Sequence, residues 1–283
     1  VETFGQELTV EQVVERVLAD VRREGDRALA RYNALLDGVP EGVPLAVAPG
    51  EIEAAYAQVE PDLVEALRLL QERIESYHRR QLEHAQRPFQ ADGCGQVVRP
   101  LERVGIYAPG TAVVYPSTVL MIAVPARVAG VGELVMCTPA RPDGSVAPVK
   151  LVAAHIAGVD RIYRAGGVQA IAALACGTES VPRVDKVCGP GNVFVAAAKR
   201  RLFGEVGIDG LFGPSETVIV ADGAADPSLV AIDLLAGAEH DELATCVFIA
   251  TDESLARAVP VSYTHLRAHE TPEHLVCRLL LEK

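Results

Sequence analysis

The chain has 283 residues, 49% of them hydrophobic, with a formal net charge of −12 and a sequence pI near 5.1. That length and composition fit one large or two ordinary globular domains, each with a real core, and exclude a disordered chain. The acidic balance argues against nucleic acid as a partner, since that binding rests on clustered Lys and Arg facing phosphates. The one basic run, Lys199-Arg200-Arg201, reads as the solvated face of a helix.

No apolar run reaches the roughly 18 residues a membrane span needs, and the first twenty residues lack the basic and apolar regions of a signal peptide. The six cysteines are scattered singly, with no CxxC, and read as reduced core thiols. The expectation is a cytoplasmic protein with no membrane partner.

From the N-terminus the chain reads as helix. Val10 to Gly38 carries apolar residues at helical spacing, with Gly25-Asp26 breaking it in two. Pro44 to Glu51 reads as a short extended linker, and Glu51 to His84 returns to helical periodicity. From Val97 the character turns to strand and an alternation sets in. Strand 103–109 precedes helix 117–130, strand 133–139 precedes helix 148–158, strand 161–166 precedes helix 168–177, and strand 185–189 precedes helix 192–203. Strand 217–222, helix 226–241 and strand 245–252 follow. Short apolar strands without polar alternation imply burial on both faces. The expected class is α/β, with Rossmann-like parallel-sheet units and an N-terminal helical segment.

Parallel strands place their C-terminal ends along one edge, so glycine-rich turns after successive strands are candidate ligand loops. Gly189-Pro190-Gly191-Asn192 joins a strand to a helix, and Gly166-Gly167-Val168-Gln169 does the same. Tyr107-Ala108-Pro109-Gly110 ends a third strand. Gln169 is placed to hydrogen-bond a ligand above the sheet, and Tyr107 can flank a planar ring. Asn192 reads equally as a ligand contact or as a plain helix N-cap. Gly130-Val131-Gly132 precedes a strand instead of following one, which fails the context a dinucleotide fingerprint needs. A second turn, Gly213-Pro214-Ser215-Glu216, leads to the helix that ends in Glu239-His240. His240 is a candidate metal or substrate ligand, beside the alternative of a favourable charge at a helix C-terminus.

Taken in order, VRREGDRAL, VGIYAPGT, STVLM, GGVQAIAALACGTESVPRVDKVCGPGN, GPSE and LLAGAEHD resemble the histidinol dehydrogenase family over about residues 8–260. The resemblance implies NAD-dependent oxidation of L-histidinol to L-histidine through the aldehyde, in a homodimer with one zinc per site. It places Tyr107, Gln169 and Asn192 at NAD-contacting positions, Ser215 at a substrate-contacting position, and His240 where zinc and substrate are shared. It implies residues 1–106 as the helical part of a discontinuous first domain, 107–214 as a Rossmann-like domain, and 215–260 as a strand–helix return to the first.

This chain departs from the family pattern in several places. Gly237 stands where the family has a glutamine zinc ligand, and Phe212 replaces a small residue before GPSE. Past Pro260 the composition changes, and residues 261–283 read as a non-homologous tail of the kind a cloning or sequencing scar leaves. Its Glu273-His274 has the letters of the family's general-base pair but stands too near His240 in the chain, so the likeness reads as coincidence. The expectation is a truncated family member with weak or absent zinc and no turnover. The alternatives are a related dehydrogenase for another polar alcohol and a non-catalytic nucleotide-binding fragment.

Overall fold

The structure is a computed structural model that describes residues 7–85, 87–110, 114–212, 216–240 and 244–269. It falls into two compact units, residues 1–212 and 213–283.

In the first unit, helix α1 (Val10–Glu24) starts on a reciprocal cap, Gln12 N–H donating to Thr9 Oγ1 while Gln12 Oε1 accepts from Thr9 N–H. Gly25, at φ 53°, ends it and lets α2 (Asp26–Asp37) begin at once, so the expected break is present. The expected single helical stretch from Glu51 is instead two helices, α3 (Pro49–Tyr56) and α4 (Pro61–Glu83), each with a proline in its first turn. Then comes a hairpin that sequence reading missed, β1 (Phe89–Ala91) and β2 (Cys94–Gln96). It turns on Asp92-Gly93, both at positive φ, the signature of a two-residue hairpin loop.

Five parallel strands follow: β3 (Arg103–Tyr107), β4 (Glu133–Thr138), β5 (Arg161–Arg164), β6 (Lys186–Cys188) and β7 (Gly207–Ile208). Helices α5 (Pro116–Val128), α6 (Pro148–Ile156), α7 (Gly167–Cys176) and α8 (Val193–Leu202) connect them. The order across the sheet is β5-β4-β3-β6-β7, which is the Rossmann order 3-2-1-4-5 counted from its first strand. Burial on both faces shows residue by residue. Ile106, Leu134 and Met136 join the core under α3–α6, while Tyr107, Val135 and Cys137 join the core under α1, α2, α7 and α8. Each such fully buried aliphatic side chain contributes roughly 1.5–3 kcal/mol.

The N-terminal helices therefore belong to the same compact unit as the sheet, and the expected boundary at 106/107 falls inside β3. The 44–51 linker is held there too. The buried Arg164 guanidinium at the end of β5 donates to Ala46 O (2.8 Å), Pro44 O (3.1 Å) and Gly144 O (2.7 Å), and pairs with Glu51.

The second unit is β8 (Glu216–Ala221), α9 (Pro227–His240), β9 (Thr245–Ala250) and α10 (Glu253–His269). The two strands pair in parallel, and α9 and α10 bury Val230, Leu234, Leu255 and Val259 together with Cys246 and Phe248 of β9. Helix α10 runs through Pro260 into the segment expected to be a foreign tail.

Candidate functional site

Strands β3 and β6 are neighbours in the sheet, yet their chains leave it in opposite directions. After β3 the chain goes to α5 on one face, and after β6 it goes to α8 on the other. Such a topological switch opens a crevice at the carboxyl ends of the strands, where open α/β sheets bind ligands. Its walls are the loops Ala108–Gly110 and Gly189–Asn192.

Each wall is fixed from below by a buried lysine that sequence reading missed. Lys150 of α6, 1% exposed, donates to Gly110 O (2.5 Å), Thr138 Oγ1 (2.8 Å) and Ala108 O (3.3 Å). Burial, reinforced by the charge of Arg141, pushes its ammonium down to about 8. Lys199 of α8, 2% exposed, donates to Gly189 O (2.8 Å), pairs with Asp209, and lies 5.2 Å from the Phe212 ring centre. Asp209 in turn accepts from Gly189 N–H (2.7 Å) and Gly210 N–H (2.8 Å). So Lys199 is a buried ion-pair partner, not part of a solvated basic face as its run suggested. The length of its stem lets the ammonium reach back across the helix start to the loop.

The three sequence-predicted cofactor residues all lie along this edge, in different settings. Asn192 is exposed, and its Oδ1 accepts from Phe194 N–H (3.2 Å) and Val195 N–H (3.1 Å), so it caps α8. Tyr107 is buried, its hydroxyl accepting from Gly167 N–H (3.0 Å), and burial pushes its phenol up to about 12. Gln169 is 1% exposed, and its Oε1 has no hydrogen-bond partner among the described residues. A dinucleotide fits this edge: helix N-termini, glycine turns and a buried unpaired acceptor meet there, and an unpaired buried acceptor costs about 1–3 kcal/mol until a donor arrives.

Ser215, Glu273 and His274 lie outside the described residues, and so does the side chain of His240, which ends α9. Gly237 is described, and it offers a metal neither a donor nor space. A Cβ there would lie 2.8 Å from Cys246 Sγ and 3.1 Å from Thr217 Oγ1, because α9 lies directly on β8 and β9 at this point. Gly237→Gln is therefore expected to destabilise the unit. Overpacking of about 1–3 kcal/mol outweighs the roughly 1 kcal/mol of helix propensity gained over glycine. Urea unfolding checks this, and a midpoint that rises would refute it. Among the described residues no group of three or more His, Cys, Asp or Glu is placed to hold a metal ion.

A cavity of about 1130 Å³ lies elsewhere, between α4 and α5 against β3 and β6. It is lined by apolar groups such as Leu82, Val98, Met121 and Pro125. It reaches the strand ends only at Cys188 and Asp209 and holds none of the predicted site residues. No described helix is long and apolar enough to cross a membrane. Among the described cysteines, Cys137 and Cys246 are buried as expected, while Cys94 in the hairpin is exposed, contrary to its reading as a core thiol.

The histidinol dehydrogenase family model matches residues 3–282, so the match runs past the expected limit near residue 260 and through the segment read as a non-homologous tail. The histidinol dehydrogenase of Moorella thermoacetica is 54% identical over 249 residues, covering 87% of this chain and 59% of the relative. That of Deinococcus radiodurans is 51% identical over 259 residues, covering 91% and 58%. The crystal structure of histidinol dehydrogenase from Elizabethkingia anophelis superposes with a TM-score of 0.86 at 33% identity, covering 94% of this chain and 62% of that one. The chain thus spans about three fifths of the length of the curated relatives it matches. On a family match across nearly its whole extent, this chain belongs to the histidinol dehydrogenase family.

Proposed function

We propose that this chain carries the dinucleotide-binding part of an enzyme that oxidises L-histidinol to L-histidine through the aldehyde, using two NAD in succession. The observation that supports it is the crevice between the β3 and β6 loops, with the buried, unpaired Gln169 Oε1 beside it. NAD supplies the hydride acceptor when bound. The chain's own residues hold and orient it. Lys150 and Lys199 fix the two loops, Asn192 caps the start of α8 at the crevice wall, and the Tyr107 hydroxyl holds the Gly167 turn. Ser215 and His240 are the proposed substrate contacts, with the working enzyme a homodimer in the cytoplasm.

Turnover needs a base for the hydroxyl proton as hydride leaves, and an activated water for the second oxidation. Glu273-His274 is not proposed for either role, because its sequence distance from His240 is wrong for the pair it resembles. Zinc is proposed as a partner of the complete enzyme only. Among the described residues no cluster supplies the three or four ligands a stable site uses, and Gly237, one helical turn before His240, has no side chain to offer.

The test is calorimetric titration with NAD alongside turnover of histidinol and a panel of polar alcohols. The expected result is NAD binding without turnover of histidinol. Asn192→Ala should lose about 1 kcal/mol of stability as a cap and bind NAD roughly tenfold more weakly, as for one lost hydrogen bond. The cap loss with unchanged affinity would remove Asn192 from the site. Oxidation of histidinol abolished by His274→Ala would overturn the exclusion of Glu273-His274 from the chemistry.

A further inference from the structure

In a sheet of Rossmann order, the strand beside the first commonly leads to an acid that accepts from the ribose hydroxyls of a bound dinucleotide. Here that strand is β4, which ends at Thr138 and runs into Pro139, Ala140 and Arg141. The first acid in the loop, Asp143, already accepts from Ser145 N–H (2.8 Å).

A carboxylate reaches this corner from another part of the chain. Asp37, the last residue of α2, lies against both Pro139 and Gly166. A Cβ built on Gly166 would meet Asp37 Oδ2 at 2.8 Å, Asp37 Oδ1 at 3.3 Å and Pro139 Cβ at 2.9 Å. The carboxylate thus fills the gap between the loops that leave β4 and β5, near enough to Tyr107 for its charge to act on the phenol.

As the last residue of α2, Asp37 opposes that helix's dipole, while its carboxylate lies against Gly166, the N-cap of α7, where negative charge is favoured. Asp37 Oδ2 is buried without a hydrogen-bond partner, and burial pushes its carboxyl up to about 6. Two further buried acceptors without partners flank it. Asn33 Oδ1 lies one turn earlier on the same face of α2, its amide Nδ2 donating to Arg164 O at the end of β5 (2.6 Å), and Gln169 Oε1 lies in the first turn of α7. Acceptors gathered without donors suit a ligand group that brings O–H bonds, and a buried carboxylate repels one that brings phosphate.

We infer that Asp37, with Gln169 beside it, accepts from the vicinal hydroxyls of the dinucleotide's adenosine ribose and thereby selects a cofactor without a 2′-phosphate. This rests on the reading of the edge as an NAD site and adds a specificity-determining residue to it. Arg141, the one cation in the loop 139–147, is the group that would favour a 2′-phosphate, so the ratio of affinities decides between them.

The test is titration of the full chain and of Asp37→Asn and Asp37→Ala with NAD and with NADP, alongside thermal unfolding of each. The wild type should prefer NAD by at least tenfold. Both variants should bind NAD tenfold or more weakly and hold or gain affinity for NADP, so that the preference collapses. Their melting temperatures should equal or exceed that of the wild type, which separates a lost contact from a lost fold. Unchanged NAD affinity in both variants overturns the role of Asp37 and leaves the site standing. So does a wild type that binds NADP as tightly as NAD. A wild type that binds neither dinucleotide overturns the inference and the site together.

Discussion

Gly189→Ala is expected to cost about 3 kcal/mol or more of folding stability and to abolish NAD binding. Gly189 has φ 132°, a conformation that L side chains rarely adopt, which alone costs of order 1–3 kcal/mol. An added Cβ would also lie 2.1 Å from Tyr107 O, 3.0 Å from Tyr107 C and 3.2 Å from Tyr107 N. These are backbone atoms of β3, so no rotamer change relieves the contact, and the ends of β3 and β6 must part. Parting them opens the crevice between the cofactor loops. Urea unfolding should show a lower midpoint with an unchanged slope. A midpoint shift worth less than about 1 kcal/mol would mean that the two strand ends are not held together as described.

Lys199→Met is expected to cost about 2–3 kcal/mol. The ammonium is buried, pairs with Asp209 and donates to Gly189 O, so its removal strands a carbonyl and half an ion pair. Breaking a fully buried pair costs about 3–5 kcal/mol. The figure is reduced here because the Asp209 side chain is 22% exposed and keeps two backbone donors. Arg200→Met is the control, since Arg200 is exposed on the same helix and should stay within about 0.5 kcal/mol. A double-mutant cycle with Asp209→Asn should return a coupling of at least about 1 kcal/mol. Equal losses from Lys199→Met and Arg200→Met would contradict the ion-pair role.

The parallel sheet was legible because its strands carry no polar alternation. Leu134-Val135-Met136-Cys137 faces two cores in turn, and that pattern can be read directly in the letters. Gly25 and the Asp92-Gly93 turn carry equally local signals, although the second went unread. The placement of the N-terminal helices was not legible. It depends on which apolar stripes meet, as when Val14, Val17 and Val21 of α1 pack with Ile171 and Leu174 of α7, and no local pattern states a partner 150 residues away. The same limit hid Asp37, an ordinary helix-end acid until the fold brings it to Gly166. Lys150 and Lys199 were hidden for a related reason. A lysine's burial depends on whether carbonyls await its ammonium, and those carbonyls belong to turns distant in sequence or on the far side of the helix start.

The seam between β3 and β6 also has a kinetic meaning. Asp185 Oδ2 accepts from Arg103 N–H across 82 positions of chain. The β3–β4 and β4–β5 pairings close over much shorter stretches, each through one intervening helix. Closing the longer loop demands more chain entropy before any contact rewards it, so this pairing is expected to be the late event of sheet assembly. Refolding that restores helix content early is then expected to leave the crevice unmade, with uptake of the proposed dinucleotide among the last properties the first unit regains.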